Sequence, residues 1–238
     1  MRLIAASGSQ EMKNAFVNEH VQKIADILLA VEKTAKDVFD FVAQFLQKHN
    51  DRISTSFTKD LNSLREYSLG YLDVNGQPIL HSHLEELCLA LKALYDATPT
   101  VVNFRRGAIV EVLAHRLVSS RCPDNECFSN HRFINHPSGY ASDQVDVAAL
   151  SEIEKEIEGY ACKLKSAGMM SVDCTNLLAL SKEASALGYS AHVGAICFDP
   201  SDAIRRRLKR LSLPDLPFIE MIAPYGLDNL SDLTQSPF

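Results

Sequence analysis

The order of apolar patterns after residue 98 constrains the fold of this chain more than any other feature. Helical spacing and strand-like runs follow one another there, with Gly188 as a helix stop. Three neighbouring strands followed by helical crossovers predict a mixed sheet flanked by helices, which is an α/β (α+β) fold. The predicted elements are a helix (101–120), three strands (131–136, 143–150, 156–165), a helix (173–187), a strand (191–199), a helix (201–211) and a strand (217–224).

The first 98 residues have a different pattern and are predicted to be helical. One long helix is expected from Val17 to about His49, with apolar residues at alternating spacings of three and four. This heptad seam either packs on a helix of the same chain, which we favour, or pairs across a homodimer. Its members are Val21, Ile24, Leu28, Val31, Ala35, Val38, Val42 and Phe45.

Two more helices are expected at 58–70 and 82–96, the second starting with a capping box of Ser82 and Glu85. The stretch "DVNGQPI" between them carries an Asn-Gly turn signal. We therefore divide the chain into a helical region, 1–98, for dimerisation, docking or recognition, and an α/β domain, 99–238.

Composition limits the kind of protein this can be. The 238 residues carry a formal net charge of −6, so the chain as a whole does not attract nucleic acid. Binding of a polyanion would require a local patch of positive charge. No apolar run approaches the length of a membrane span, and no signal peptide is recognised. Several of the six cysteines lie in apolar runs, which favours reduced thiols and a cytoplasmic location.

Three charged residues on separate elements stand out as candidates for chemistry. Alternate residues of a strand share a face, so a hairpin of 143–150 with 156–165 would set Asp146 beside Lys163. On the preceding helix, Glu111 shares a face with Gly107, where the missing side chain allows another backbone or a ligand to approach closely.

This arrangement resembles the PD-(D/E)XK nuclease superfamily, the restriction-endonuclease-like fold. The matching pieces are "RRGAIVEVL" with Glu111, "DQVDVAAL" with Asp146 and "GYACKLK" with Lys163. The resemblance covers roughly residues 101–200 and includes the order of the elements. It implies a restriction-endonuclease-like core after the helical region.

The resemblance implies a Mg²⁺- or Mn²⁺-dependent endonuclease acting on DNA rather than RNA, in restriction, repair or anti-phage defence. Asp146 would be the central metal ligand, Glu111 an additional one, and the backbone carbonyl of Cys162 a third. Lys163 would orient the attacking water. Carboxylates suit Mg²⁺ because it is a hard ion that prefers oxygen.

Ala161 departs from the family pattern, which has an acid two residues before the lysine. A methyl group binds no metal, and three possibilities remain open. An engineered replacement of an acid ranks first. A natural pseudonuclease is the second, and an acid supplied from the next helix, where Asp173 and Glu183 are candidates, is the third.

Two groups of arginines are candidates for gripping phosphates. Arg105 and Arg106 precede Glu111 on its helix, and Arg205, Arg206 and Arg207 open a basic run that Lys209 and Arg210 continue. Such a run is usually a solvated helix face. In a nuclease it would give salt-dependent affinity.

Cys122, Cys127, His131 and His136 lie close enough in sequence to suggest a structural Zn²⁺ site. The Cys spacing is loose, and the two His face opposite ways on one strand, so we favour a polar loop without zinc. The alternative to a nuclease is a non-catalytic pseudonuclease or helical interaction module that binds nucleic acid or a protein.

Overall fold

The structure is a computed structural model that describes residues 2–5, 10–72, 80–121, 127–135, 139–140, 145–211 and 219–235. The chain forms two compact units, a helical unit of Ser9–Leu113 and a sheet unit of Met1–Gly8 with Ala114–Phe238. The predicted boundary at 98/99 differs from this division. Residues 1–8 join the sheet unit because they contain an edge strand, and the helix that begins at Pro99 runs from one unit into the other.

Among its described residues, the helical unit contains five α-helices and the first part of a sixth. Packing joins α2 to α3 and α5, and α4 to α5. The largest fully buried side chains of this unit include Phe39, Leu46, Leu87 and Tyr95. The helices are α1 (Gln10–Phe16), α2 (Glu19–Glu32), α3 (Lys36–Lys48), α4 (Thr55–Glu66), α5 (His81–Leu94) and α6 (Pro99–Ser119).

The heptad seam is confirmed as buried, but the single long helix is wrong. All eight seam side chains are buried, yet the helix breaks between α2 and α3, where Ala35 has φ −148° and ψ 64°. Periodicity continues through a helix break when both pieces use the same apolar core. The seam is therefore buried within this chain, as favoured above, and pairing across a homodimer stays a prediction.

The expected start of α5 is also wrong. This helix begins at His81, and its N-cap is Leu80, which makes no side-chain capping bond, so Ser82 and Glu85 form no capping box. The Asn-Gly signal at 75–76 lies outside the described residues.

In the described part of the sheet unit, seven strands form a sheet of order β1-β2-β4-β5-β6-β7, with β3 paired to β2. Strands β1 to β5 pair antiparallel, whereas β5–β6 and β6–β7 are parallel. The strands are β1 (Arg2–Ala5), β2 (Cys127–Asn135), β3 (Gly139–Tyr140), β4 (Val145–Ser151), β5 (Glu156–Cys162), β6 (Ser190–Ile196) and β7 (Ala223–Tyr225). Two helices, α7 (Ser171–Ala186) and α8 (Ser201–Leu211), form the crossovers between the parallel strands.

The structure thus confirms the α/β class, with a mixed sheet and flanking helices in the predicted order. The helix stop is confirmed too, since Gly188 follows α7 with φ +77°. Strand β1 and the short β3 are additions, because their segments show little strand pattern. Across the described residues, no helix has the length and apolar character needed to cross a membrane.

The core beneath α7 and α8 positions the candidate site. It includes Ala161 of β5, Cys174 and Leu177 of α7, and Ile204 and Leu208 of α8. A Cβ on Gly159 would collide with the side chain of Leu180, so a larger residue at this position would require Leu180 of α7 to shift. This face of the sheet is the one that carries Asp146 and Lys163.

Candidate functional site

Strands β4 and β5 bring the two predicted residues Asp146 and Lys163 together. Their antiparallel register pairs Val147 with Tyr160, and continuing it by one step sets Asp146 opposite Ala161. Lys163 follows the end of β5, and its N–H donates to the carbonyl of Ile196 at 2.9 Å. The Lys163 Nζ lies 3.4 Å from Asp146 Oδ2.

A third charged residue, Asp173, joins them from the first turn of α7. Its Oδ1 lies 3.2 Å from Lys163 Nζ, and its Oδ2 accepts the N–H of Met170 at 2.8 Å. A carboxylate is favoured at this place, since a helix N-terminus offers free N–H groups and positive potential. Of the two substitute acids suggested by the sequence, Asp173 is thus in the cluster. Glu183 lies three turns further along the same helix.

The cluster of Asp146, Lys163 and Asp173 is largely withdrawn from water. The exposed fractions of the three side chains are 13%, 25% and 16%. Asp146 Oδ2 also accepts the N–H of Cys162 at 2.7 Å, which fixes this carboxylate on the sheet. A buried ammonium between two held carboxylates is costly to assemble and favoured only when the geometry is good.

Electrostatics in the cluster favour a charged lysine and leave a surplus of negative charge. Burial raises the pKa of Asp146 above its ordinary value, against the opposing effects of Lys163 and the Cys162 N–H. Burial also opposes the charged form of Lys163, but the carboxylates of Asp146 and Asp173 outweigh it and raise the lysine pKa. One ammonium facing two carboxylates leaves room for one more positive charge, either a proton or a cation.

The two residues that precede the lysine play different parts. Ala161 is buried in the apolar core and offers no ligand atom where the family pattern has an acid. Cys162 is buried as well, and its N–H donates to Asp146 Oδ2. The predicted metal-ligating role of the Cys162 carbonyl stays a prediction.

Glu111 lies on the part of α6 that belongs to the helical unit, whereas the cluster lies wholly within the sheet unit. Its predicted role as a metal ligand stays a prediction. Within the described part of the chain no other backbone approaches Gly107, since a Cβ there would meet no atom within 4 Å, and the expected approach of a ligand stays a prediction.

Three of the five arginines predicted to grip phosphates donate hydrogen bonds to main-chain carbonyl groups instead. Arg106 is 3% exposed, and it donates to the carbonyl of Leu46 at 2.7 Å and to Asn50 Oδ1 at 2.7 Å. Arg105 donates to the Leu94 carbonyl at the end of α5, at 3.1 Å. Both side chains hold the helical unit together, because a buried helix end leaves carbonyls that need donors.

Arg207 is likewise directed inward, whereas Arg205 and Arg206 are exposed on α8. The Nε and Nη2 of Arg207 donate to the carbonyl of Met169 at 3.0 and 2.7 Å. The sequence of this basic run does not show which of its side chains turns inward. Each successive side chain of a helix is rotated by about 100°, so neighbouring arginines point in different directions.

The sequence interpretation also missed the residues that hold the segment between Lys163 and Asp173. Asp199 Oδ2 accepts the N–H of Ser166 at 2.7 Å and its hydroxyl at 2.5 Å. Arg207 holds the same segment at Met169. The available signal for Asp199 was its position directly after an apolar run, in the sequence "CFD".

A second polar cluster occupies the opposite face of β5. Glu158 is buried and accepts hydrogen bonds from the guanidinium of Arg121 and from the hydroxyl of Tyr160. Beside it, His192 Nε2 lies 2.5 Å from the hydroxyl of Tyr225. These groups satisfy one another, which is how buried polar side chains contribute to stability.

The zinc prediction falls mostly on residues that the structure does not describe. Cys122 and His136 lie outside the described residues, and for His131 only the backbone is described. The Sγ of Cys127 lies 3.7 Å from the carbonyl of His115. Within the described ranges, no group of three or more His, Cys, Asp or Glu side chains is placed to hold a metal ion.

Comparison with protein-family models and with curated protein sequences finds no match to this chain.

Proposed function

We propose that the chain is a Mg²⁺-dependent endonuclease that hydrolyses phosphodiester bonds in DNA. The observation that carries this proposal is the position of Lys163 Nζ, 3.4 Å from Asp146 and 3.2 Å from Asp173. An ammonium and two carboxylates from two strands and a helix meet at one end of a mixed sheet. The motif resemblance to the PD-(D/E)XK superfamily supports the same activity.

The donor set of the cluster fits a hard divalent cation. Mg²⁺ is usually held by one or two carboxylates, with waters and substrate phosphates completing its octahedron, so a cage of three protein acids is not required. Asp146 and Asp173 would hold it, and the surplus negative charge of the cluster favours such an ion. When bound, the cation lowers the pKa of a coordinated water and offsets charge on the phosphate; Mn²⁺ suits the same ligands.

The chain's own residues then have distinct tasks. Lys163 carries three N–H donors, and its two carboxylate partners leave one to hold a water or a phosphate oxygen. The N–H groups of Cys162 and Met170 fix the two carboxylates before substrate arrives. Preorganised charge of this kind is usually the largest single contribution to catalysis.

Asp173 would account for the missing acid at Ala161 without assuming a replaced residue. In our proposal it supplies from α7 the acid that β5 lacks, and its ion pair with Lys163 supports this choice. An engineered inactive chain and a natural pseudonuclease both predict that the wild type does not cleave DNA, unlike our proposal.

The test is cleavage of supercoiled and linear plasmid DNA with Mg²⁺ or Mn²⁺, with RNA as a second substrate. We expect the wild type to cleave DNA, and D146N and D173N each to lower the rate by about 100-fold or more, as when a preorganised electrostatic contact is removed. E183Q is the matched control on α7 and should cleave like the wild type. Circular dichroism confirms that each variant is folded.

Two results would change the conclusion. If only A161E cleaves, then Asp173 is not the missing acid and the chain is an inactive variant. If neither the wild type nor A161E cleaves DNA or RNA, the nuclease proposal is wrong.

A non-catalytic module that binds nucleic acid or protein is the second candidate, and one observation favours it. The ammonium of Lys163 already contacts both carboxylates, as it would in a purely structural ion triad. Titration with Mn²⁺ separates the two candidates. A metal site binds the ion and loses that binding in D146N, whereas a structural triad binds no Mn²⁺ in either protein.

The cellular setting is part of the same proposal. All five described cysteines are free, which agrees with a reducing cytoplasm. Restriction, repair or anti-phage defence are settings in which such an activity would be used.

A further inference from the structure

One face of α8 presents four cations to solvent. Ile204 and Leu208 are buried on the inner side of the helix, while the outer side is exposed. Residues four apart lie about 6 Å apart along a helix axis, so the four cations form two short parallel rows. We call this surface the basic face of α8; it consists of Arg205, Arg206, Lys209 and Arg210.

The charge of this face is largely uncompensated. Within the described residues, Arg206, Lys209 and Arg210 make no ion pair, while Arg205 lies 3.3 Å from Asp202. The whole chain carries a net charge of −6, so four cations on one short helix run against the general composition. A local positive patch on an acidic protein is suited to a polyanion.

The fifth cation of the run fastens α8 to the candidate site. Arg207 donates two N–H groups to the carbonyl of Met169, which lies in the segment between Lys163 and Asp173. Ile204 and Leu208 also share an apolar core with Ala161 of β5. The basic face and the Asp146–Lys163–Asp173 cluster therefore belong to one packed unit.

The two rows of the basic face differ in their surroundings. Arg205 and Lys209 line a cleft of about 230 Å³ together with Glu220 and four apolar side chains, Leu208, Ile219, Ile222 and Pro224. The Glu220 carboxylate opposes an anion on that side. Arg206 and Arg210 do not line this cleft, so they form the stronger row for phosphates.

We propose that the basic face of α8 binds the phosphate backbone of duplex DNA. This inference rests on the proposed nuclease function, for which it supplies the substrate-holding surface. Cations that contact phosphates release counterions, which gives affinity without sequence preference and a steep dependence on salt.

The experiment measures fluorescence anisotropy of a labelled DNA duplex at several salt concentrations, with EDTA present so that no cleavage occurs. The test variant is R206Q/R210Q. The control is K59Q/K92Q, which removes two exposed lysines from α4 and α5 and changes net charge equally. Between about 50 and 200 mM salt, wild-type affinity should fall roughly 12-fold more than that of R206Q/R210Q, since each lost contact reduces the salt slope by about 0.9.

The outcomes separate this inference from the proposed activity. Salt slopes of K59Q/K92Q that match the wild type, with a shallower slope for R206Q/R210Q, support the basic face whether or not the protein cleaves DNA. Equal slopes for all three proteins, no binding of duplex DNA, or binding of a hairpin RNA alone would overturn it. A wild type that cleaves while R206Q/R210Q binds normally would overturn it as well, and leave the nuclease proposal standing.

Discussion

Replacing Lys163 by methionine tests whether the cluster on β4, β5 and α7 has the charge balance that the structure indicates. Methionine keeps much of the length of the side chain and removes its charge. The carboxylates of Asp146 and Asp173, 13% and 16% exposed, would then face each other without a cation.

The size of the effect follows from what remains after the change. Removing one partner of a buried ion pair typically costs about 3–5 kcal/mol, because an uncompensated charge stays behind. Both carboxylates keep one backbone N–H donor, from Cys162 and from Met170. We therefore expect a loss near the lower limit, about 3 kcal/mol in the free energy of unfolding at neutral pH.

Urea denaturation followed by far-ultraviolet circular dichroism measures this loss, since the chain has no tryptophan to report by fluorescence. K165M is the matched control. Lys165 is exposed two residues further along, and its replacement should change stability by less than about 0.5 kcal/mol.

Added Mn²⁺ then separates a metal site from a structural triad. An ion that binds the folded state adds about 1.4 kcal/mol for each tenfold excess over its dissociation constant. K163M should regain more stability from Mn²⁺ than the wild type does, because its two carboxylates have lost their cation. A K163M protein as stable as K165M would refute the charge balance, and a K163M protein indifferent to Mn²⁺ would refute the metal site.

Three further predictions concern the rest of the fold. G194A should destabilise the protein by about 1–3 kcal/mol, since its Cβ would lie 2.8 and 2.9 Å from the rings of Tyr160 and Tyr225. G107A should stabilise it by up to about 1 kcal/mol, because this helix position has open space around it. Urea denaturation measures both changes in the free energy of unfolding. Burial lowers the pKa of His192 below its ordinary value of 6.5, so the unfolded state binds the proton at a higher pH than the folded state does. The wild type should therefore lose stability relative to H192Q as pH falls below about 6.5, and equal pH profiles of stability would contradict this. R106Q should destabilise the helical unit by about 1–3 kcal/mol because buried carbonyl groups lose their donor, and unchanged DNA affinity in that variant would confirm that Arg106 is structural.

Much of the fold followed from local patterns. The strands that became β4, β5 and β6 and the helices α6, α7 and α8 were expected within a few residues, because each has a clear apolar period. Strand β1 was not expected, since "RLIA" is too short to show a period and gains its pairing from β2, far along the chain. The break between α2 and α3 was missed for a related reason, because the apolar spacing persists across it.

The candidate site shows the same division between local and distant information. The pairing of Asp146 with Lys163 was predictable because strand alternation and a hairpin register bring those two residues to one face. Membership of Asp173 was only one of two options, since the distance from a helix to a strand depends on how closely the layers pack. Gly159 contributes to that packing here, since a Cβ at this position would collide with the side chain of Leu180 on α7.

The sequence by itself determined the order of the elements, the buried face of each and the kinds of charged groups on offer, because periodicity is a property of neighbouring residues. The tertiary structure alone decided which charges meet. Arg106 and Arg207 sit in basic runs like their neighbours, yet one is buried against a helix end and the other is held at the Met169 carbonyl. Their roles depend on carbonyl groups of residues distant in sequence, and no local pattern contains the position of those groups.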